Sequence, residues 1–317
     1  MATKHHEYVT KADCFEWLKG QSENTYHAII TDPPYGFREF TGKELDKLRN
    51  RKGGIWRLPP TFGDSVRAPL PRYTVLTKEE LEAIYNNIKK WGELALPVLR
   101  PGGHAFLASN SLVSPWVSKA MIDAGFERRG ELIRLVQGIR GGFRPKGAEG
   151  EFQGVSTMPR SCYEPWGIYR KPMNGELIRD NLRKWKTGAL RRTPDGKPFP
   201  DVLRSGFPTK EERKIIKHPS LKPQRFLRQL VWASLPFGEG KILDCFAGSG
   251  STIAACMALG KKYEATGIEI DSKFVEDANR AVPLLAKLQI SWEDFNGLNS
   301  HKPSGKRKGQ SRTQSQL

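Results

Sequence analysis

An α/β fold built on a mostly parallel, buried central sheet is the class this chain predicts, and three observations predict it. Apolar runs of strand length end in turn chemistry, at residues 27–31 before Asp32-Pro33-Pro34-Tyr35, at 104–108, and at 241–245. Between them lie segments with helical spacing, the clearest being Leu81, Ile84, Tyr85, Ile88 and Trp91. Finally, strand, tight glycine loop and helix succeed one another over 241–260, with Phe246-Ala247-Gly248-Ser249-Gly250 as the loop. A chain of 317 residues with 38% hydrophobic content has room for one such domain plus an appended module.

Taken in order, a short strand is expected at Tyr8 and Val9, then a helix over residues 14–18 capped by Asp13. The strand at 27–31 must leave the sheet at Asp32, because two consecutive prolines cannot continue a hydrogen-bonded ladder. Residues 36–76 are rich in Pro, Gly and Arg and read as a long irregular segment. Thr77 and Glu80 form a capping box for a helix that ends before Pro101-Gly102-Gly103, and a buried strand follows at 104–108. A helix is predicted at 115–123, stopped by Gly125, with further strands at 131–136 and 166–170. Residues 138–160 form a Gly- and Arg-rich insertion, and 173–217 are polar with scattered prolines. A helix then starts at the doorstep of Pro223, with Phe226, Leu227, Leu230, Val231 and Leu235 as its apolar stripe. After the glycine loop come a helix at 251–259 closed by Gly260, a strand at 265–270, and a helix opened by Asp271 and running to about 288. Beyond Gly297 the basic, low-complexity tail is expected to be disordered.

Charge narrows the partner. Lys and Arg number 52 against 34 Asp and Glu, a net of +18, which favours a polyanion such as nucleic acid over an acidic metabolite or a membrane surface. Residues 134–217 hold 19 basic and nine acidic residues, so more than half of the excess sits there, interleaved with Trp185, Phe199 and Phe207. No apolar stretch approaches the ~18 residues of a membrane span, and the amino terminus lacks a signal-peptide core, so a cytoplasmic protein is expected. Cys14, Cys162, Cys245 and Cys256 lie far apart, with no zinc-like or disulfide-like spacing, and read as reduced thiols. No metal site is expected.

Two stretches carry chemistry. Asp32 and Tyr35 sit on a stiff loop at the carboxyl end of a strand, where open α/β sheets bind ligands. The strand ending in Asp244, the glycines at 248 and 250, and Glu269 ending the next strand describe a Rossmann-like nucleoside pocket. Glycines let backbone approach a ligand closely, and an acid at the second strand end accepts ribose hydroxyls. The spacing is not Gly-x-Gly-x-x-Gly and no phosphate-loop Lys follows, so a cationic ligand with a ribose suits the acidic pair better than a pyrophosphate.

Asp-Pro-Pro-Tyr at 32–35, the loop at 246–250, and the upstream His218-Pro219-Ser220-Leu221-Lys222-Pro223 together resemble the DNA amino-methyltransferases that use S-adenosylmethionine. The order of these motifs is that of the β class, with a catalytic half first, a target-recognition region inserted, and the cofactor half last. The resemblance covers roughly residues 8–290. It implies a methyltransferase fold of permuted motif order with a catalytic half at 1–137, a basic recognition insertion at 138–217 containing a core strand near 166–170, a cofactor half at 218–296, and a disordered tail at 297–317. It also implies the roles of residues. Asp32, Pro33, Pro34 and Tyr35 would be catalytic. Asp244, Phe246, Ala247, Gly248, Ser249, Gly250 and Thr252 would hold the cofactor, with Glu269 on the ribose, His218, Lys222 and Pro223 at the methionine end, and Asp13 at the adenine amine. Asp13 reads equally as a helix cap. Cys245 stands where these enzymes often have proline.

The same resemblance implies the reaction. An exocyclic base amine is a poor nucleophile, and two acceptors, the Asp32 carboxylate and the Pro33 carbonyl, would concentrate its lone pair toward a methyl donor. Tyr35 would stack on a base flipped out of duplex DNA, with Phe37 and Phe40 as candidate second faces or as core residues. Asp at position 32 is typical of adenine N6 enzymes and Ser of cytosine N4 enzymes, so N6-adenine is preferred over N4-cytosine. An inactive nucleic-acid-binding protein on the same fold is a different class of answer, against which the intact Asp32, Tyr35, Gly248 and Gly250 speak. RNA or protein amide methylation is a third. A homodimer and a cognate restriction endonuclease are partners the family admits; the recognition sequence is not legible.

Overall fold

The computed structural model describes residues 7–34, 78–136, 142, 144–145, 147–218 and 220–290, with the backbone alone for 61–62 and 65–66. Its centre is an eight-stranded sheet. The strands are β1 (Val9–Lys11), β2 (Tyr26–Thr31), β5 (Leu99–Ala108), β6 (Glu127–Leu135), β7 (Tyr163–Arg170), β8 (Val202–Arg204), β9 (Gly240–Asp244) and β10 (Tyr263–Glu269). Strands β3 (Thr61–Phe62) and β4 (Ser65–Val66) form a separate antiparallel pair. Spatial order in the main sheet is β1-β10-β9-β2-β5-β7-β6-β8, and only β7 runs against its neighbours.

Eight helices are described: α1 (Cys14–Lys19), α2 (Lys78–Val98), α3 (Ser114–Asp123), α4 (Ile178–Trp185), α5 (Lys210–Ile215), α6 (Gln224–Ser234), α7 (Ser251–Leu259) and α8 (Ser272–Ala286). They group as α1, α2 and α3 packed in succession, and as α6, α7 and α8. Strand β2 shows the consequence: all six of its residues are buried, as befits a central parallel strand covered on both sides. The main core runs from Ile29 and Ile30 through Trp91 and Phe106 to Trp166 and Phe226.

Local sequence signals set several boundaries. The Asp13 carboxylate accepts from the Phe15 and Glu16 amides, and that of Asp271 from the Lys273 and Phe274 amides, so both helices start as their caps dictate. Helix α7 spans the predicted 251–259 and ends at Gly260 in the left-handed region. The expected helices at 14–18 and 115–123 are each lengthened by one residue, and the last helix stops at Ala286 rather than near 288. The Tyr8–Val9 strand becomes Val9–Lys11, and the strands expected at 241–245 and 265–270 shift to 240–244 and 263–269.

Other expectations need correction. Strand β5 starts at Leu99 rather than His104 and runs through Pro101-Gly102-Gly103, because the Gly102 amide donates to the Lys171 carbonyl and the Lys171 amide to that of Gly103. A register shift against β2 absorbs the extra residues. Strands β6 and β7 start earlier than expected, at Glu127 and Tyr163, since each completes the other's antiparallel ladder. The polar stretch 173–217 is more ordered than its composition suggests: β8 extends the main sheet beside β6, and α4 packs on β5. The Thr77 cap, Tyr35, Phe37, Phe40, Pro219, the bulk of 36–76, part of 138–160 and the basic tail lie outside the described residues.

Asn181 explains why α4 seats where it does. Its buried side-chain amide donates to the Pro101 and Thr187 carbonyls, and a Cβ on Gly102 would come within 2.5 Å of that nitrogen. Gly102 also has φ +77°, so glycine is required twice over. We predict that Asn181→Ala destabilises the fold by about 1–3 kcal/mol, because two buried carbonyls lose a donor; a shifted urea midpoint at unchanged slope would confirm it.

Candidate active site

Topology brings the chemistry to one edge. Strands β1, β10, β9, β2 and β5 are parallel, so Glu269, Asp244 and Asp32 all emerge at the same carboxyl edge. Strand β7 is reversed and thus begins there, which places Glu164 beside them, and β6 ends there with Arg134.

The ladder between β2 and β9 has only the pairs Ala28 with Ile242 and Ile29 with Leu243. Side chains close it at both ends. At the amino end, His27 Nδ1 accepts from the Lys241 amide at 2.9 Å; burial, with Arg100 and Lys241 nearby, lowers the pKa of this imidazole to about 4, keeping it neutral. At the carboxyl end, Thr31 Oγ1 donates to Asp244 Oδ1 at 2.7 Å and accepts from the Phe246 amide at 3.2 Å. Thr31 thereby ties the strand that delivers Asp32 to the strand that delivers the glycine loop.

Around that loop the residues form a cradle. Gly248 and Gly250 have φ +48° and +70°. The Gly248 amide donates to Glu269 Oε2 and the Asp271 amide to Oε1, both at 2.9 Å, which fixes the Glu269 carboxylate over the loop. His218 lies on the other side: a Cβ on Gly248 would be 3.0 Å from its ring, and its edge packs on Phe274. Its Nδ1 accepts from the Ser220 amide, so Nε2 carries the proton, and that enclosed Nε2 has no partner among the described residues. An exposed Ile270 follows Glu269 directly. An orphaned donor, a cradle that one methyl group would fill, and a carboxylate beside an exposed apolar side chain fit a ligand combining a carboxylate, a ribose and an apolar ring. Ala247, Ser249 and Thr252 are buried beneath, with Ser249 and Ser251 hydroxyls 2.7 Å apart, and Phe246 leans on Trp91. Asp13 lies just past the end of β1, beside Glu269 through the Ala12 amide, with one oxygen engaged as a cap. Burial pushes the Asp244 carboxyl up to about 6, against the hydrogen bonds from Thr252, Thr31 and Phe246.

The second half of the site is a buried cluster of charges. The Lys222 ammonium touches Asp32 Oδ2 and lies 3.3 Å from Glu164 Oε1. Arg134 holds Glu164 Oε2 and is itself fixed by Ser205 Oγ and the Gly206 carbonyl, both at 2.9 Å. Trp166 Nε1 donates to Glu164 Oε1 at 3.1 Å and packs on Phe226, over whose ring Arg134 also lies. Burial pushes Asp32 above the ordinary carboxylate value despite the pull of Lys222. Burial also works against ionised Glu164 and Lys222, yet Lys222 and Arg134 hold Glu164 below its ordinary value, and Asp32 and Glu164 hold Lys222 above its own. The atom left over is Asp32 Oδ1, which is enclosed and has no hydrogen-bond partner among the described residues.

Lys222 was expected at the methionine end of a cofactor; in this structure its ammonium sits on Asp32, and Pro223 serves as the N-cap of α6. Pro33 is buried beside Asp32 and Pro34 is exposed. Sequence reasoning missed Thr31, Arg134 and Glu164. A hydroxyl directly before Asp32 was a visible signal for Thr31; Arg134 and Glu164 gave none, because each lies among other charged residues of its strand.

A family model described as DNA methylase, of the N6 and N4 type, matches residues 26–280. The chain belongs to this DNA methyltransferase family. It is 32% identical over 282 residues to the Type II methyltransferase M2.DpnII of Streptococcus pneumoniae, covering 87% of this chain and 90% of that protein. It is 34% identical over 284 residues to the Type II methyltransferase M2.LlaDCHI of Lactococcus lactis subsp. cremoris, covering 87% and 89%. Its fold is shared with TTHA0409 of Thermus thermophilus, a DNA modification methylase solved with S-adenosyl-L-methionine, at TM-score 0.53 and 17% identity over 87% of this chain and 95% of that one. S-adenosylmethionine is the methyl donor of the family. Among the described residues no helix is long and apolar enough to cross a membrane, and no cluster of potential metal ligands occurs.

Two predictions follow from the cradle and its floor. Gly248→Val should weaken S-adenosylmethionine binding by about tenfold or more through intrusion on His218 and left-handed strain, read by calorimetry. For Asp244 the folded pKa of about 6 exceeds the ordinary 3.8, so the folded state holds a proton that the unfolded chain releases, and the stability it contributes falls as pH rises through that window. The thermal midpoint of Asp244→Asn should therefore gain on that of the unmodified protein between pH 4 and pH 6.

Proposed function

We propose that the chain transfers a methyl group to the exocyclic N6 amine of adenine in duplex DNA, using Asp32 as the acceptor that activates the amine. The observation that carries this reading is the enclosed Oδ1 of Asp32, without a hydrogen-bond partner among the described residues, at the end of a buried strand and next to a backbone that two prolines hold out of the sheet. Such an oxygen is preorganised to accept an N–H, and the neighbouring Pro33 carbonyl is a second acceptor of fixed direction. When bound, S-adenosylmethionine supplies an electrophilic methyl group. Asp244, the glycine loop at 246–250, Thr252, Glu269, His218, Pro223 and Asp13 are assigned to hold it, and Tyr35 to stack on the flipped base. Asp rather than Ser at position 32 favours adenine over cytosine. The nitrogen that gains the methyl must lose a proton as the sulfonium leaves as a thioether, and Asp32 is the carboxylate proposed to receive it.

The net charge of +18 and the basic residues of 138–217 support duplex DNA as the substrate, held through its phosphates. The similarity to Type II methyltransferases supports a restriction-modification setting with a cognate endonuclease, and the cytoplasm as the place of action.

The decisive experiment incubates the protein with labelled S-adenosylmethionine and a random-sequence duplex library and maps the modified base. Methylated adenine within one short sequence is the expected outcome; label on cytosine N4, or no label, would overturn the assignment. Asp32→Ala should lower transfer by about a hundredfold or more while cofactor affinity stays within about threefold.

A further inference from the structure

Glu164 is a carboxylate enclosed within the sheet edge, and the reaction as described makes no use of it. Its two oxygens have different tasks. Oε2 is held by Arg134, which is pinned by Ser205 and Gly206 at the end of β6. Oε1 receives the Trp166 indole N–H and faces the Lys222 ammonium, whose other neighbour is Asp32 Oδ2. Lys222 is therefore shared between two carboxylates of one sheet edge, at the β2 end and the start of β7, with β5 between them. The four side chains come from the β2 end, β6, the start of β7 and the turn before α6, and their formal charges cancel.

The sharing has a chemical consequence. A lysine with Asp32 as its only anion would settle on that carboxylate, draw electron density from it, and could reach both oxygens. With Glu164 taking a share, the ammonium is held to one side, and among the described residues only Oδ2 is engaged while Oδ1 remains open. We propose that Glu164 is a positioning residue for methyl transfer, dividing Lys222 between itself and Asp32 so that Asp32 keeps one oxygen free to accept the substrate amine. Arg134 acts one step further out, by holding Glu164 against burial. The inference rests on Asp32 as the acceptor.

Charge and reach can be tested separately. Glu164→Gln keeps shape but loses the charge; Glu164→Asp keeps the charge but shortens the reach to Lys222. Both should lower kcat by about tenfold or more with KM for S-adenosylmethionine changed by less than about threefold, since the lost contact positions a reacting group. Their pH profiles should differ. Asp32 is faced by Lys222 and Arg134, which favour its ionised form, by Glu164, which opposes it, and by Asp244, which also senses its charge. Ionised Asp32 is the active form, so removing the Glu164 charge should move the acid limb of kcat to lower pH, whereas Glu164→Asp should leave the limb in place. A residue that merely supports the fold would move neither.

Thermal melts and cofactor titration establish that each variant is folded. Wild-type kcat with a wild-type acid limb in Glu164→Gln overturns the proposal; should that variant not fold, wild-type kcat in Glu164→Asp overturns it. Asp32→Ala in the same assay separates the two levels. An inactive Asp32 variant beside unaffected Glu164 variants removes Glu164 alone, whereas an active Asp32 variant removes the acceptor assignment and this inference together.

Discussion

The hydrogen bond from Thr31 to Asp244 is the constraint on which the site depends. Strands β2 and β9 are far apart in sequence and share only two ladder pairs, so backbone alone joins them weakly. Thr31 extends the join past the ladder to Asp244 and the Phe246 amide, while His27 closes its other end through Lys241. The position of Asp32 relative to the glycine loop is thus fixed by side chains acting as extra rungs. Each is buried, so each is worth more than its exposed counterpart would be, and each loss leaves an unsatisfied group behind.

The charges at the same edge follow a related logic. Four ionisable side chains out of water are costly, and removing one partner of a buried pair typically costs about 3–5 kcal/mol. They are tolerated because every charge faces an opposite one and most remaining polar atoms find backbone or indole partners. The exception is Asp32 Oδ1. Among the described residues it is the one acceptor this cluster leaves empty, and the proposed role of Asp32 rests on it.

What was legible in the sequence was local. Asp13 and Asp271 announce their helices because a cap acts within three residues, and the Pro-Pro pair after Thr31 announces a strand end because proline acts on its own backbone. The motif order was legible too, and with it the family. Distant pairing was not. Strand β5 continues through Pro101-Gly102-Gly103 only because Lys171 pairs there, and Val202–Arg204 becomes a strand only because β6 offers an edge. Arg134 and Glu164 look like ordinary members of a basic, mixed-charge stretch until β6 and β7 are laid side by side. Tertiary contact, not propensity, decides these cases.

The reversed strand β7 has one more consequence. Leu135 pairs with Tyr163 and Arg134 with Glu164, so the chain leaves β6 and re-enters β7 through two rungs lying side by side. The ends of the segment between them are thus already clipped together, and lengthening a segment closed in this way carries only a small, slowly growing entropic cost. The sheet edge is therefore insulated from the length of that segment: the clip keeps Arg134 and Glu164 in register whatever is spliced between them.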